Sequence, residues 1–204
     1  MTALLCALGG YLAGSIPFAI IVSKLMALPD PRTYGSKNIG ATNVLRSGNR
    51  IAALATLVGD LAKGWIAVMV ARYLQLPHEM LALVGVAAFL GHVFPVWLRF
   101  NGGKGVATAG AVLIAYDWRV GLAVVVVWLT MAVVSRYSSL AALTAALFAP
   151  AAVWYLLGAG PYLVATLVMG VVLIARHHQN IRKLVRGEES RIGEKRKPAP
   201  EAAP

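Results

Sequence analysis

Apolar residues fill seven stretches of the chain, at 3–28, 51–74, 80–98, 106–116, 120–134, 140–157 and 162–175, and polar residues gather in the segments between them. Recurring runs near the ~20 residues that cross a bilayer predict an all-α, polytopic integral membrane protein with seven transmembrane helices. The fourth run is short: its 11 residues rise only ~17 Å as a helix, against a hydrocarbon core of ~30 Å. Merging it with the fifth would put Asp117 and Arg119 deep in lipid, which is expensive, and would reverse the sidedness of everything downstream.

Charge decides between the two. With seven spans and the N-terminus outside, segments 29–50, 99–105, 135–139 and 176–204 share one side. They carry Arg32, Lys37, Arg46, Arg50, Arg99, Lys104, Arg136 and the basic tail, whereas the other side keeps Arg72 and Arg119. Lys and Arg mark cytoplasmic loops, so the C-terminus is expected in the cytoplasm. The fourth helix is then expected to start recessed within the protein. Residues 1–186 read as a single membrane-embedded domain and 187–204, charged and rich in Pro and Ala, as a flexible cytoplasmic tail.

Composition supports this class. The chain is 59% hydrophobic with mean hydropathy +0.71, far above the ~45–50% apolar share of soluble domains. A net charge of +11 would point a soluble protein toward nucleic acid. Here the cations fall between and after apolar runs, so they orient the protein in lipid and no nucleic-acid partner is expected. Cys6 is the only cysteine, which excludes an intrachain disulfide and a cysteine metal cluster. The first run has no basic residue before it and no clear cleavage site after it, so it is expected to be retained as a span.

Four polar segments fall on the expected cytoplasmic side. In 30–46, Ser36, Asn38, Thr42 and Asn43 can donate hydrogen bonds and Arg46 can fork onto a phosphate. The same composition also suits a solvated loop in which Asn and Gly make turns. The run Asn101-Gly102-Gly103-Lys104-Gly105-Val106-Ala107-Thr108 puts flexible backbone, a lysine and a hydroxyl at the start of a helix, whose N-terminus favours anions. Its spacing is not that of a Walker A loop. Ser138 and Ser139 read either as caps of the following helix or as phosphate contacts. His177 and Asn180, three apart, share a face if the last helix continues, while Arg182, Lys183 and Arg186 suit an amphipathic turn on anionic lipid.

Inside the second run, Asp60 and Lys63 read as a buried pair fixing helix packing or as functional groups at membrane depth. His92 reads as a packing histidine. No metal site is expected, since no histidine has a partner at ligand spacing. Nucleophilic catalysis is poorly supported: there is no Gly-x-Ser-x-Gly elbow and no Cys–His pair. The His-x4-Asp arrangement of many acyltransferases is absent too, with Trp97 five residues after His92 and Arg182 five after His177. What remains is positioning and electrostatic stabilisation by backbone N–H, Lys, Arg and Asn donors.

Gly14-Ser15-Ile16-Pro17, the loop Gly35-Ser36-x-Asn38-x-Gly40-Ala41-Thr42-Asn43-x-x-Arg46, the run from Gly91-His92-x-Phe94-Pro95 through Gly102–Thr108, and His177-x-x-Asn180-Ile181 with Glu189 together resemble the bacterial acyl-phosphate-dependent glycerol-3-phosphate acyltransferases, the PlsY family. Asn101 stands where that family often has lysine, and Lys183 where it tends to have arginine. The resemblance implies acyl transfer from acyl phosphate to the 1-hydroxyl of sn-glycerol 3-phosphate, giving lysophosphatidic acid and phosphate without an acyl-enzyme. It implies a seven-helix protein of the bacterial inner membrane with a cytoplasm-facing site and no cofactor, functional as a monomer. Its catalytic residues would be Lys104, Ser36, Asn180 and His177. Substrate would be bound by Asn38, Gly40, Thr42, Asn43, Arg46, Gly102, Gly103, Gly105, Thr108, Ser138, Ser139 and Glu189. Lys104, the Gly102–Gly105 backbone and Ser36 would hold phosphate and developing oxyanion, while Arg46, Asn180 and His177 orient glycerol phosphate. A transporter of phosphorylated small molecules is the alternative, but it should carry polar residues through the bilayer and on both faces.

Overall fold

A computed structural model describes residues 2–193, and every regular element among them is helical. The elements are α1 (Thr2–Gly14), α2 (Phe18–Leu25), α3 (Ala41–Val44), α4 (Arg50–Tyr73), α5 (His78–Val93), α6 (Val106–Tyr116), α7 (Trp118–Ser135), α8 (Ser138–Leu157), α9 (Pro161–Arg176) and α10 (His178–Val185). Four helical segments are long and apolar enough to cross a membrane: Arg50–Tyr73, His78–Leu98, Trp118–Ser135 and Ser138–Leu157. Two more qualify as bent pairs, α1 with α2 at 42° and α9 with α10 at 58°, and α6 is a shorter apolar helix.

Local chemistry explains where the apolar runs break. The run at 3–28, expected as one helix, is two, because Pro17 cannot donate to the helical ladder. The Ser15 hydroxyl turns back onto Tyr11 O at 2.9 Å instead. The third run stops at Val93, two residues before Pro95, and resumes as a single 3-10 turn over Val96–Leu98. The fourth and fifth runs are separate helices, as expected. Asp117 is extended between them, caps α7 by accepting the Arg119 N–H, and pairs with the Arg119 guanidinium at 2.8 Å. Arg72 donates to Ala115 O and Tyr116 O at 2.6 and 3.0 Å, closing the carbonyl end of α6.

The bundle core is built from Val68, Val84, Phe89, Val112, Val120 and Val153, all fully buried. Leu54, Val133, Val134, Leu147 and Val171 point outward, which suits a lipid surround. Helices α1 and α5 approach closely because a Cβ on Gly14 would collide with the Ala88 carbonyl and one on Gly91 with the Tyr11 carbonyl. That contact sets the C-terminal end of α5 beside the α1–α2 break.

Candidate active site

Lys104 is the centre of the site. Just before α6, Gly105 takes a left-handed backbone (φ +83) with its Cα against Phe89, so glycine is required there. Lys104 directly precedes this turn and is half-buried, and its Nζ donates to Asn180 Oδ1 at 2.6 Å. Asn180 Nδ2 in turn donates to Glu189 Oε1 at 2.7 Å, and the same oxygen accepts the Ser139 hydroxyl at 2.6 Å. Four expected site residues from three distant segments therefore form one chain of hydrogen bonds. Thr42 and Ser138 hydroxyls lie 3.4 Å apart beside it. Arg46 reaches Ser190 Oγ at 2.6 Å.

The electrostatics around Lys104 are those of a cationic cluster. Burial, offset partly by Glu189 and reinforced by Arg46, Lys183 and Arg176, lowers Lys104 from the ordinary lysine range to about 8. Three cations and the Glu189 carboxylate thus act on Lys104 in opposite directions. His177 is buried, and burial holds it at about 4 despite the Leu173 carbonyl bond, with Lys104 pushing the same way and Glu189 opposing. Its Nδ1 lies 2.8 Å from Leu173 O. A carbonyl only accepts, so Nδ1 carries the proton of the neutral ring and Nε2 is left as an acceptor.

Several expected ligands do something else. The Gly102 and Gly103 N–H groups donate to Val93 O and His92 O, each at 3.1 Å. The amides free to meet an anion are those of the first turn of α6, which have no helical acceptor. The Thr108 hydroxyl, fully buried, donates to Asp60 O at 3.0 Å rather than facing the site. Asn43 is buried and knots its own loop: its Oδ1 accepts the Ser36 N–H at 2.9 Å and its Nδ2 donates to Pro31 O at 2.7 Å. Ser36 is thereby held on the exposed rim, and Asn38 lies against Gly40. Ser138 and Ser139 do not cap α8, whose N-cap position is Tyr137. His177 and Asn180 are not on one continuous helix, because the axis turns by 58° between α9 and α10.

Other contributors had no sequence signal beyond their charge or position. Arg176 donates to Gly102 O at 2.9 Å and stacks 5.8 Å over Phe94, bracing the lysine loop. Segment 188–192, read from composition as the start of a flexible tail, lies against the bundle through Glu189, Ser190 and the Ile192 N–H, which donates to Arg136 O at 2.7 Å. The rest of that tail, 194–204, lies outside the described residues. No group of three or more His, Cys, Asp or Glu side chains able to hold a metal is found among the described residues.

A bundle of apolar helices long enough to cross a membrane, with cations, hydroxyls and amides gathered around one lysine at one end, defines an integral membrane protein with a cationic polar face. The Glycerol-3-phosphate acyltransferase family profile matches residues 4–187. The chain is 58% identical over 201 residues to the glycerol-3-phosphate acyltransferase of Burkholderia lata, covering 98% of this chain and 95% of that protein. It is 56% identical over 202 residues to that of Burkholderia orbicola, covering 98% and 97%. The fold matches the crystal structure of PlsY, an integral membrane glycerol 3-phosphate acyltransferase, in its glycerol 3-phosphate form, with TM-score 0.90, 36% identity and coverage of 95% of this chain and 96% of that one. The lysophosphatidic acid form of PlsY gives TM-score 0.88. The chain belongs to the glycerol-3-phosphate acyltransferase family.

Proposed function

We propose that this protein transfers a fatty acyl group from acyl phosphate to the 1-hydroxyl of sn-glycerol 3-phosphate, releasing lysophosphatidic acid and inorganic phosphate. The observation that carries the reading is the Lys104–Asn180–Glu189–Ser139 chain with Arg46, Lys183 and Arg176 around it. Such a cluster suits two phosphorylated substrates and direct transfer between them, with Lys104 acting as the cation that its Glu189 neighbour favours.

The glycerol hydroxyl oxygen attacks the acyl carbon of the mixed anhydride, the bond from that carbon to the phosphate oxygen breaks, and the hydroxyl proton leaves with the phosphate. Lys104 and the first-turn amides of α6 stabilise the developing oxyanion and the leaving phosphate. Arg46, with Ser36 on the same loop, holds the glycerol phosphate, and His177 Nε2 accepts from a glycerol hydroxyl. A histidine held at about 4 is a weak base, which favours the leaving phosphate as proton acceptor.

Residues 1–186 act as one domain in the bacterial inner membrane, and the protein works as a monomer. It has seven crossings: the α1–α2 pair, α4, α5, short α6, α7, α8 and α9. The N-terminus is outside and the site cytoplasmic, in keeping with the Lys and Arg distribution.

The test is pure protein in lipid given acyl phosphate and labelled glycerol 3-phosphate. Labelled lysophosphatidic acid and one phosphate per product are expected. Product from a thioester donor alone would overturn the donor, and uptake of unaltered glycerol phosphate into proteoliposomes would favour a transporter.

A further inference from the structure

Asp60 touches both flanks of the lysine loop without touching Lys104. Its carboxylate pairs with Lys63 Nζ at 2.9 Å and faces His92 Nδ1 at 3.4 Å. The His92 ring lies against Gly103 so closely that a Cβ there would collide with Nε2, and the His92 carbonyl accepts the Gly103 N–H at 3.1 Å. On the other flank, the Asp60 carbonyl accepts the Thr108 hydroxyl at 3.0 Å. Lys63 fixes the cluster from behind by donating to Ile16 O at 2.9 Å, in the break between α1 and α2. Asp60, Lys63, His92 and Thr108 are all buried.

A salt bridge this deep is an expensive way to pack helices, since apolar residues of similar volume often do as well or better. Here the buried cluster holds both sides of the lysine loop, through His92 at Gly103 directly before Lys104 and through the Asp60 carbonyl at Thr108 in the first turn of α6. We propose that Asp60, Lys63, His92 and Thr108 are positioning residues that fix the loop carrying Lys104, with His92 holding the Gly103 side and Thr108 the α6 side. The inference rests on the acyltransferase reading only for its effect on turnover. The effect on Lys104 itself is independent of that reading.

Two variants spare the Asp60–Lys63 pair, so neither leaves an unpaired buried charge: His92→Leu and Thr108→Val. Full-length protein in lipid nanodiscs is acetylated with an N-hydroxysuccinimide ester, and labelling is followed by mass spectrometry. Exposed Lys37, in the polar segment before α3, serves as the rate standard and buried Lys63 as the folding control. In each variant Lys104 should label several-fold faster than in the parent, with Lys63 still protected. Turnover should fall between about 10- and 100-fold, the size expected for misplacing a catalytic group by an ångström or less. Unchanged Lys104 labelling in variants that keep Lys63 protected would overturn the proposal. If His92→Leu loses Lys63 protection, Thr108→Val, which keeps side-chain volume, decides alone. If the parent forms no lysophosphatidic acid, the functional reading fails while the labelling result still decides the positioning.

Discussion

Lys104 and Asn180, 76 residues apart in sequence, meet at 2.6 Å. Their contact joins the loop before α6 to the short helix after α9. Lys104→Ala removes the one flexible cation among the first-turn amides of α6. Turnover should drop by about 10²–10³, the usual loss for one oxyanion donor, with the thermal midpoint nearly unchanged. Lysophosphatidic acid formation and a melting curve on the same preparation check it.

The depressed Lys104 value, about 8, sets a pH dependence. The free protein loses this cation as pH rises through about 8, so kcat/KM for glycerol 3-phosphate should fall by one proton above that point. Lys104→Arg should remove that limb from the accessible range. The sign for folding is opposite: the unfolded chain keeps the proton to higher pH, so this group adds stability as pH rises above about 8.

Among the described residues, Glu189 is the carboxylate that holds Lys104 up against its cationic neighbours. Glu189→Gln should therefore move the basic limb to lower pH, and a limb at the parent position would refute this role. Ser139 and Asn180 also lose a charged acceptor, so kcat should fall in the same variant.

His177 is kept neutral by burial at about 4. Its contribution to stability is present above the ordinary histidine range and is lost as pH falls toward 4. The parent should lose thermal stability on acidification from pH 6.5 to 4, and His177→Phe should flatten part of that slope.

Asp60→Asn and Lys63→Met each leave a buried partner without its opposite charge and should cost about 3–5 kcal/mol. The double variant should recover much of this loss. Thermal melts of the four proteins form the cycle, and simple additivity would show that the pair is not coupled.

Much of this was legible in the sequence because it depended on period and charge. Run lengths foretold α4, α8 and the short α6, and the cost of burying Asp117 and Arg119 foretold the break before α7. The family resemblance of the loop motifs, and not period or charge, points to Lys104, Asn180, Glu189 and Ser139 as site residues, and the fold brings these four together. What escaped was the direction of individual hydrogen bonds. Nothing in a string distinguishes an Asn43 that faces a ligand from one whose amide ties Ser36 to Pro31. A Thr108 aimed at an anion reads the same as one bonded to Asp60 O. The bend at His177 was hidden because a polar continuation looks the same whether the helix runs straight or turns 58°. His92 reads in the sequence as a packing residue, and it does pack, but against Gly103 and a buried salt bridge.

The order in which the chain is made adds a final consequence. Ser36 and Arg46 emerge first, Lys104 midway, and Glu189 only after the last membrane helix. Until residue 189 leaves the ribosome, Lys104 lacks the carboxylate that offsets its cationic neighbours, and Ser139 and Asn180 have no shared acceptor. Helix insertion alone cannot finish this site. Each molecule gains that shared acceptor only when segment 188–192 has been translated and laid against the bundle.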